Sequence, residues 1–543
     1  MVVFSLDRKD IICENCCLML GAVCVFLCGV SALWPLPLKQ ERGGVTNLAI
    51  LPHKSLLEPI GLTGKPNQVL QNAMDSFPGN VFPSRLPPHN RIKADDPHAY
   101  SKIIEKIQFK IEHPEETALT IDTDESYSIQ IDENASVIIS ANTSFGFLRA
   151  LSTFSQLLNF GFVEPDGNAL YTIDRVPIFI EDSPRFPFRG LMIDTSRHYL
   201  PMELILDNLD IMAFNKLNVL HWHVVDSQSF PYRSESEPDL TKGAFEDELT
   251  YSANQVREVV HQAFLRGIRV IPEFDTPGHS RSWKGIDKIM SHCRKANEPL
   301  NPTREQTYAV YKKLMSEVSH VFSDDFVHIG GDEVGFKCWK NDHSIKVWMA
   351  EHNITDYNDL EHIYIRRVLR ILKSLGKKTV VWQEVFNQGL LSDDTDAIVD
   401  VWKGYDNATI QHAFSQGKNV IVSGPWYLDH LGDSWDVLYK AELEDFVLNP
   451  EHKGFLLGGH CSMWGERVDP TVFMPRVWPR ASAIAEKLWS TRHAASVDVT
   501  NRMDKFRCDM VARGYDASPI QPGFCPVEPE YHSFHHVEQE QLV

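Results

Sequence analysis

Apolar residues recur along this chain with two different periods, and the switches between them mark its organisation. Between residues 100 and 140, short segments such as Ala118–Asp122 and Tyr127–Ile131 alternate apolar and polar positions, the pattern of half-buried strands. Ser144–Phe160 instead spaces its apolar residues for one face of a helix. A small α+β domain is therefore expected over residues 91–184, ending at the Pro-rich run Asp182–Pro187. Residues 33–90, broken by Pro and Gly and weakly periodic, read as an irregular N-terminal arm.

From Arg189 onward, short aliphatic runs alternate with amphipathic helical stretches. Strands are predicted at Gly190–Asp194, Val219–Val225, Arg269–Phe274, Phe326–Gly330, Thr379–Gln383, Ala397–Trp402, Asn419–Ser423 and Phe455–Gly459. Helices are predicted between them, among them Met202–Lys216, Ala253–Arg266, Thr307–Val321 and Leu360–Leu375. Eight strand-then-helix units predict an α/β chain whose residues 185–527 form a (β/α)8 barrel, followed by a polar tail at 528–543.

Polar and aromatic residues gather just after these strands: Arg197, His221–Asp226, Asp275–His279, Asp332 with Glu333, Trp382, Trp402, Trp426–Asp429 and Trp464–Glu466. In a barrel these C-terminal strand ends converge on one pocket. Eight such clusters in register point to an active site.

Composition narrows the partners. The 543-residue chain carries a formal charge of −20, which argues against a nucleic-acid backbone as ligand. Cys16–Leu33 is almost wholly apolar and ends in small residues at Val30-Ser31-Ala32, so residues 1–32 read as a signal peptide. The acidic residues Asp7, Asp10 and Glu14 before it are unusual for a signal, and the run is just long enough to act as an uncleaved anchor giving transient membrane association. Outside that segment five cysteines remain: Cys293, Cys338, Cys461, Cys508 and Cys525. None forms a CxxC pair, so structural zinc is not expected. Sequons at Asn134, Asn142, Asn353 and Asn407 fit a glycosylated lumenal protein.

The runs Asp194–Tyr199, Asn215–His223, Glu273–His279, His328–Val334, Val381–Phe386, Pro425–Asp429, Met463–Glu466 and Leu488–Ser490 together resemble the lysosomal β-hexosaminidases of glycoside hydrolase family 20. The resemblance spans about residues 145–525, and Leu33-Trp34-Pro35 fits a mature start of that family. It implies retaining cleavage of terminal β-linked N-acetylglucosamine or N-acetylgalactosamine from a glycan, with no cofactor. Glycoside cleavage needs a proton on the leaving oxygen and stabilisation of an oxocarbenium-like centre. Neighbouring carboxyls sit awkwardly as separated acid and nucleophile, and fit better a mechanism in which the substrate's own 2-acetamido oxygen attacks.

In that scheme Glu333 is the acid/base, Asp332 orients the acetamide and Tyr427 donates to its oxygen. Trp382, Trp402 and Trp464 would wall the pocket, while Arg197, Asp429 and Glu466 would hold the outer hydroxyls. Asp226 and His279 would tune Glu333. The resemblance further implies disulfides Cys293–Cys338 and Cys508–Cys525, a buried Cys461 thiol, a homodimer, and a lysosomal or secreted location.

Two other classes fit parts of the pattern. His221 and His223, two apart on one strand, with His279 and Asp332 could form a metal-dependent hydrolase site, although nothing in such a site calls for the tryptophans. A non-enzymatic carbohydrate-binding protein would be expected to lack the acid, Glu333. Two departures from the family bear on substrate. The Cys293–Asn301 segment is short where an activator docks in the animal enzymes. Asp429 precedes His430 where the subunit type specialised for sulfated sugars has Asn-Arg, so a neutral terminal sugar is expected.

Overall fold

The computed structural model describes residues 33–527 apart from 63, 88–99, 165–166, 294–297, 392–395 and 497. The predicted signal peptide at 1–32 and polar tail at 528–543 lie outside the described residues.

A closed barrel of eight parallel strands forms the larger part: Phe188–Asp194, Val219–Val225, Arg269–Phe274, Phe326–His328, Lys378–Trp382, Ile398–Val401, Asn419–Val422 and Leu456–Met463. Each predicted strand is present, displaced by a few residues at its ends. The eighth closes on the first, with Gly458–Met463 registered against Phe188–Ile193. Because side chains alternate along a strand, every second residue enters the barrel. Phe188, Val219, Ile271, Phe326, Val380, Ile398 and Ile421 form one apolar layer near the strand starts.

The next inward positions are polar. His221, Glu273, His328, Asp400 and His460 are all buried. Glu273 Oε2 lies 2.7 Å from both His221 Nε2 and His223 Nδ1, and Asp400 accepts from His460 Nε2 at 2.6 Å and from Ser423 Oγ at 2.7 Å. Mutual hydrogen bonding is what makes such burial tolerable.

The smaller part is a mixed eight-stranded sheet, and here three expectations are corrected. The described residues of the expected irregular arm at 33–90 contain regular strands and helices instead. Lys39–Ile50 is a long strand, antiparallel to Ala169–Asp182 and parallel to Lys102–Ile104, and Leu56–Pro59 pairs with Lys106–Ile111. The strand's first half is largely solvent-exposed and contains Gly43-Gly44, so its sequence lacks the alternation that a buried face imposes. Ala118–Asp122 is not a strand. It is a loop whose Ile121 packs against the barrel's apolar layer. The helix predicted at Ser144–Phe160 stops at Gln156, and Asn159–Val163 joins the sheet instead.

Two buried carboxylates join sheet and barrel. Glu125 accepts from Arg149 Nε at 2.8 Å, Arg189 Nη2 at 2.6 Å and Asn218 Nδ2 at 3.1 Å. Asp182 accepts from Lys216 Nζ at 2.8 Å, Tyr127 Oη at 2.5 Å and Trp489 Nε1 at 3.0 Å. Burial alone would raise the Glu125 pKa, but Arg189 and Arg149 hold it below the ordinary 4.5. Both expected disulfides are formed, and Cys461 is a free, buried thiol.

Removing one partner of a buried ion pair strands the other. Glu125→Ala is expected to lower unfolding stability by about 3–5 kcal/mol in urea titrations near neutral pH. Since its folded pKa is depressed, the contribution is present above the unfolded value and is lost as pH falls through the folded one. The gap between wild type and variant should therefore narrow in acid.

Candidate active site

Asp332 and Glu333 follow the fourth barrel strand, and the backbone that presents them is turned by glycine. Gly330 and Gly331 sit at φ +71° and +89°, which L side chains rarely adopt. A Cβ on Gly330 would lie 1.7 Å from Asp275 Oδ1, so only glycine allows that carboxyl so close. Glu333 itself is at φ +47° and His279 at φ +48°. Non-glycine residues in this region are strained, and such strain clusters where geometry serves function.

The two carboxyls face different surroundings. Asp332 is buried, and its Oδ1 has no hydrogen-bond partner among the described residues. Glu333 has 59% of its side chain exposed. His279 stands between them, its Nε2 3.5 Å from Glu333 Oε2 and 3.8 Å from Asp332 Oδ2. Its Nδ1 is 3.2 Å from Asp226 Oδ1. Asp226 Oδ2 in turn lies 2.9 Å from His223 Nε2, and His223 Nδ1 reaches Glu273. A continuous chain thus runs from the barrel centre through Glu273, His223, Asp226 and His279 to Glu333.

The charges follow from that chain. Burial would lower the His279 pKa, but hydrogen bonds to Asp226 and Glu333, with the charges of Asp275 and Asp332, raise it far above 6.5. Its hydrogen bond in turn holds Glu333 below the ordinary glutamate value. Burial pushes Asp332 up to about 6 despite the His279 charge. Asp275 is driven well above 3.8 by burial and by the Asp332 charge, and Gly331 N–H donates to its Oδ1 at 3.0 Å. Two neighbouring buried carboxyls cannot both ionise cheaply.

Aromatic rings surround these groups. Trp382 lies 6.4 Å from Trp402 and 6.2 Å from Trp464 between ring centroids, and Tyr427 lies 6.1 Å from Trp402 and 6.5 Å from Trp464. Trp382 Nε1 donates to Glu273 Oε1 and Trp402 Nε1 to Glu384 Oε2, each at 2.9 Å, which fixes both indoles. Arg197 pairs with Asp194 at 3.1 Å and Asp226 at 2.8 Å, lies 3.8 Å from Glu466, and stacks over Trp464. Its Nε lacks a partner among the described residues. So does Asp429 Oδ1, in a carboxyl that burial raises to about 6.

Arg197, Asp226, His279, Asp332, Glu333, the three tryptophans Trp382, Trp402 and Trp464, and Tyr427 are thus linked through these contacts, whereas Trp222 and Trp426 of the same clusters pack in the hydrophobic core. The sequence reading placed Asp275 at a strand end without giving it a role, and missed Glu273 and Glu384 as parts of the constellation. Their signal was the inward alternation Ile271, Glu273, Asp275, which places two acids on the face that enters the barrel. Among the described residues, His221, Glu273 and His328 lie close enough to share an ion. His221 Nε2 bonds Glu273, and His328 Nδ1 accepts from Gly330 N–H at 3.0 Å. The four sequon asparagines are all exposed.

Gly330→Ala combines a forbidden backbone with a clash. It is expected to cost about 2 kcal/mol or more of stability, read as a lower melting temperature, and to reduce turnover in whatever fraction still folds.

Residues 186–492 match the catalytic domain of glycosyl hydrolase family 20, and residues 33–157 match a beta-acetyl hexosaminidase like domain. The second match includes the first strand of the sheet, Lys39–Ile50. The chain is 40% identical to beta-hexosaminidase subunit beta of Homo sapiens over 513 residues, covering 91% of this chain and 89% of the relative. It is 42% identical to beta-hexosaminidase subunit alpha of Bos taurus over 424 residues, covering 74% and 78%. Among solved structures, Flavobacterium johnsoniae chitobiase superposes with a TM-score of 0.74 at 28% identity, covering 89% of this chain and 73% of that one. An exo beta-N-acetylglucosaminidase of Vibrio harveyi does so with a TM-score of 0.73 at 22% identity, covering 90% and 78%, and bears on the fold alone. With its catalytic-domain match extending over more than half its length and relatives this similar along nearly all of it, the chain belongs to glycosyl hydrolase family 20.

Proposed function

We infer that this protein is a β-N-acetylhexosaminidase that removes terminal non-reducing β-linked N-acetylglucosamine or N-acetylgalactosamine with retention of configuration, the substrate's acetamide acting as nucleophile. The observation that carries this reading is the inequality of the two adjacent carboxyls. Asp332 is buried with an oxygen that has no partner among the described residues, while Glu333 opens to solvent beside a charged histidine.

A buried acceptor suits the acetamide N–H, and an open carboxyl suits the glycosidic oxygen beyond it. Tyr427 donates its hydroxyl proton in a hydrogen bond to the acetamide oxygen, which holds that oxygen beneath C1. As the C1–O bond breaks, Glu333 delivers its proton to the departing oxygen and the acetamide oxygen bonds to C1. The resulting oxazolinium cation is stabilised by the Asp332 carboxylate, in a site where Trp382, Trp402 and Trp464 exclude water and strengthen that attraction. Glu333, now a carboxylate, takes a proton from water as the water attacks C1. The two inversions leave the configuration unchanged.

Arg197, Asp429 and Glu466 would meet the outer hydroxyls, since two of them carry unpartnered polar atoms. A carboxylate at 429 disfavours an anionic group on the sugar's 6-position. Residence in the lysosome or outside the cell is part of this reading and is supported by the apolar N-terminal run that reads as a signal, the exposed sequons and the disulfides. Assembly as a homodimer rests on the family resemblance. No described helix is long and apolar enough to cross a membrane.

On a neutral aryl β-N-acetylglucosaminide, Glu333→Gln is expected to lose about 10²–10⁴-fold in kcat. Asp332→Asn should lose comparably, and an acetamide-derived thiazoline should inhibit the wild type tightly. Equal turnover of a glycoside bearing a 2-hydroxyl instead of the acetamide would overturn the mechanism. Against the 6-sulfated substrate, discrimination should weaken as pH falls through about 6 and Asp429 loses its charge. Asp429→Asn should show the same relaxed preference at neutral pH, measured as the ratio of kcat/KM values.

A further inference from the structure

We propose that Glu298 is a positioning residue for the acid, a carboxylate that ties the loop after the second barrel strand to the loop after the third and so holds His279 against Glu333. This rests on the reading of Glu333 as the acid/base.

Glu298 belongs to the segment that the Cys293–Cys338 disulfide anchors to the loop after the catalytic strand. Its Oε1 accepts two hydrogen bonds from different loops, one from Ser227 Oγ at 2.5 Å and one from Ser280 N–H at 2.9 Å. Ser227 directly follows Asp226, and its own N–H donates to Asp226 Oδ1 at 2.5 Å. Ser280 directly follows His279. The carboxylate therefore joins the residues next to both members of the Asp226–His279 pair. Only 18% of its side chain is exposed, and its other oxygen is 3.4 Å from the exposed Arg281.

His279 needs such support. Its φ of +48° is a conformation that the surroundings must impose. Ser280 Oγ donates to Pro277 O at 2.7 Å, and Leu300 N–H donates to Pro277 O at 3.0 Å, so the same segment braces the loop from both sides of the histidine. Trp339 Nε1 donates to Leu300 O at 3.0 Å, which links the brace to the loop carrying Glu333. Glu298 thus acts where three strand-end loops meet, without touching the pocket.

The consequence for pH has a definite sign. His279 faces Asp226 from the second loop, Asp275 from its own, and Asp332 and Glu333 from the fourth, while Arg197 and Lys403 also act on Glu333. When the imidazole is no longer held, its hydrogen bond to Glu333 weakens and the acid keeps its proton to higher pH. The alkaline limb of kcat/KM, which follows loss of that proton, then moves upward.

The test compares Glu298→Ala, Glu298→Gln, Ser227→Ala and Glu333→Gln in the full chain on a neutral aryl β-N-acetylglucosaminide, with melting temperatures alongside. Glu298→Ala is expected to lower kcat about 10- to 100-fold with KM changed less than about twofold, and to shift the alkaline limb upward. Glu298→Gln, which keeps an acceptor oxygen, should recover most of that loss. Ser227→Ala removes one of the two bonds and should show a smaller loss with the same shift, and it decides the matter if Glu298→Ala fails to fold. A folded Glu298→Ala with wild-type kcat and pH profile overturns the positioning role. If Glu333→Gln is inactive in the same experiment, the acid assignment nevertheless stands. A Glu333→Gln variant with wild-type kcat removes both.

Discussion

Closure of the barrel is the constraint on which the rest depends. Hydrogen bonding of Gly458–Met463 to Phe188–Ile193 brings the end of the eighth strand beside the end of the first. Gly465 N–H then donates to Asp194 Oδ2 at 3.0 Å, and Trp464 lies under the Arg197 guanidinium. An open sheet of the same eight strands would leave these two edges far apart. The pocket would lose Trp464 and Glu466 on one side and Arg197 on the other. The sheet domain supports this closure from below, where Ile121 packs on the lowest apolar layer and Glu125 satisfies two buried arginines that would otherwise be uncompensated.

The same closure creates an interior in which acids and histidines must satisfy one another. Water is excluded there, so each proton position depends on its neighbours. Glu273 holds His221, His223 and Trp382 at once, and one indole of the cage is thereby fixed by the group that also begins the chain toward Glu333. Binding surface and proton chemistry are thus parts of one hydrogen-bonded network. The strained backbone at His279 and Glu333 is tolerated because several bonds converge on each loop. Burial also separates the two adjacent carboxyls into distinct roles. Asp332 is desolvated, with an orphan oxygen, and Glu333 remains open and charge-stabilised by a histidine.

Much of this was legible in the sequence because it is written in local terms. A strand buried on both faces must be aliphatic over its length, and a loop that builds a pocket is free to be polar. The eight strands and their reactive ends follow from that contrast. The two glycines before Asp332-Glu333 are the residue type that a sharp turn requires. Where locality failed, the reading failed. Lys39–Ile50 hides its strand character because half of it faces water, and its main partner, Ala169–Asp182, lies far along the chain. Ala118–Asp122 alternates like a strand yet serves as a plug, because what it meets is the end of a barrel and not a neighbouring strand.

The sequence by itself determined the fold class, the family and the set of side chains that could do the chemistry, since periodicity, turn glycines and motif spacing are properties of neighbouring residues. Only the tertiary structure decided which of those side chains touch. Pairing of Glu273 with two histidines and a tryptophan, and of Glu298 with Ser227 and Ser280, depends on strand register and loop packing between distant segments. Protonation followed from those contacts, because a carboxyl's pKa is set by what surrounds it in space and not by its neighbours in the chain.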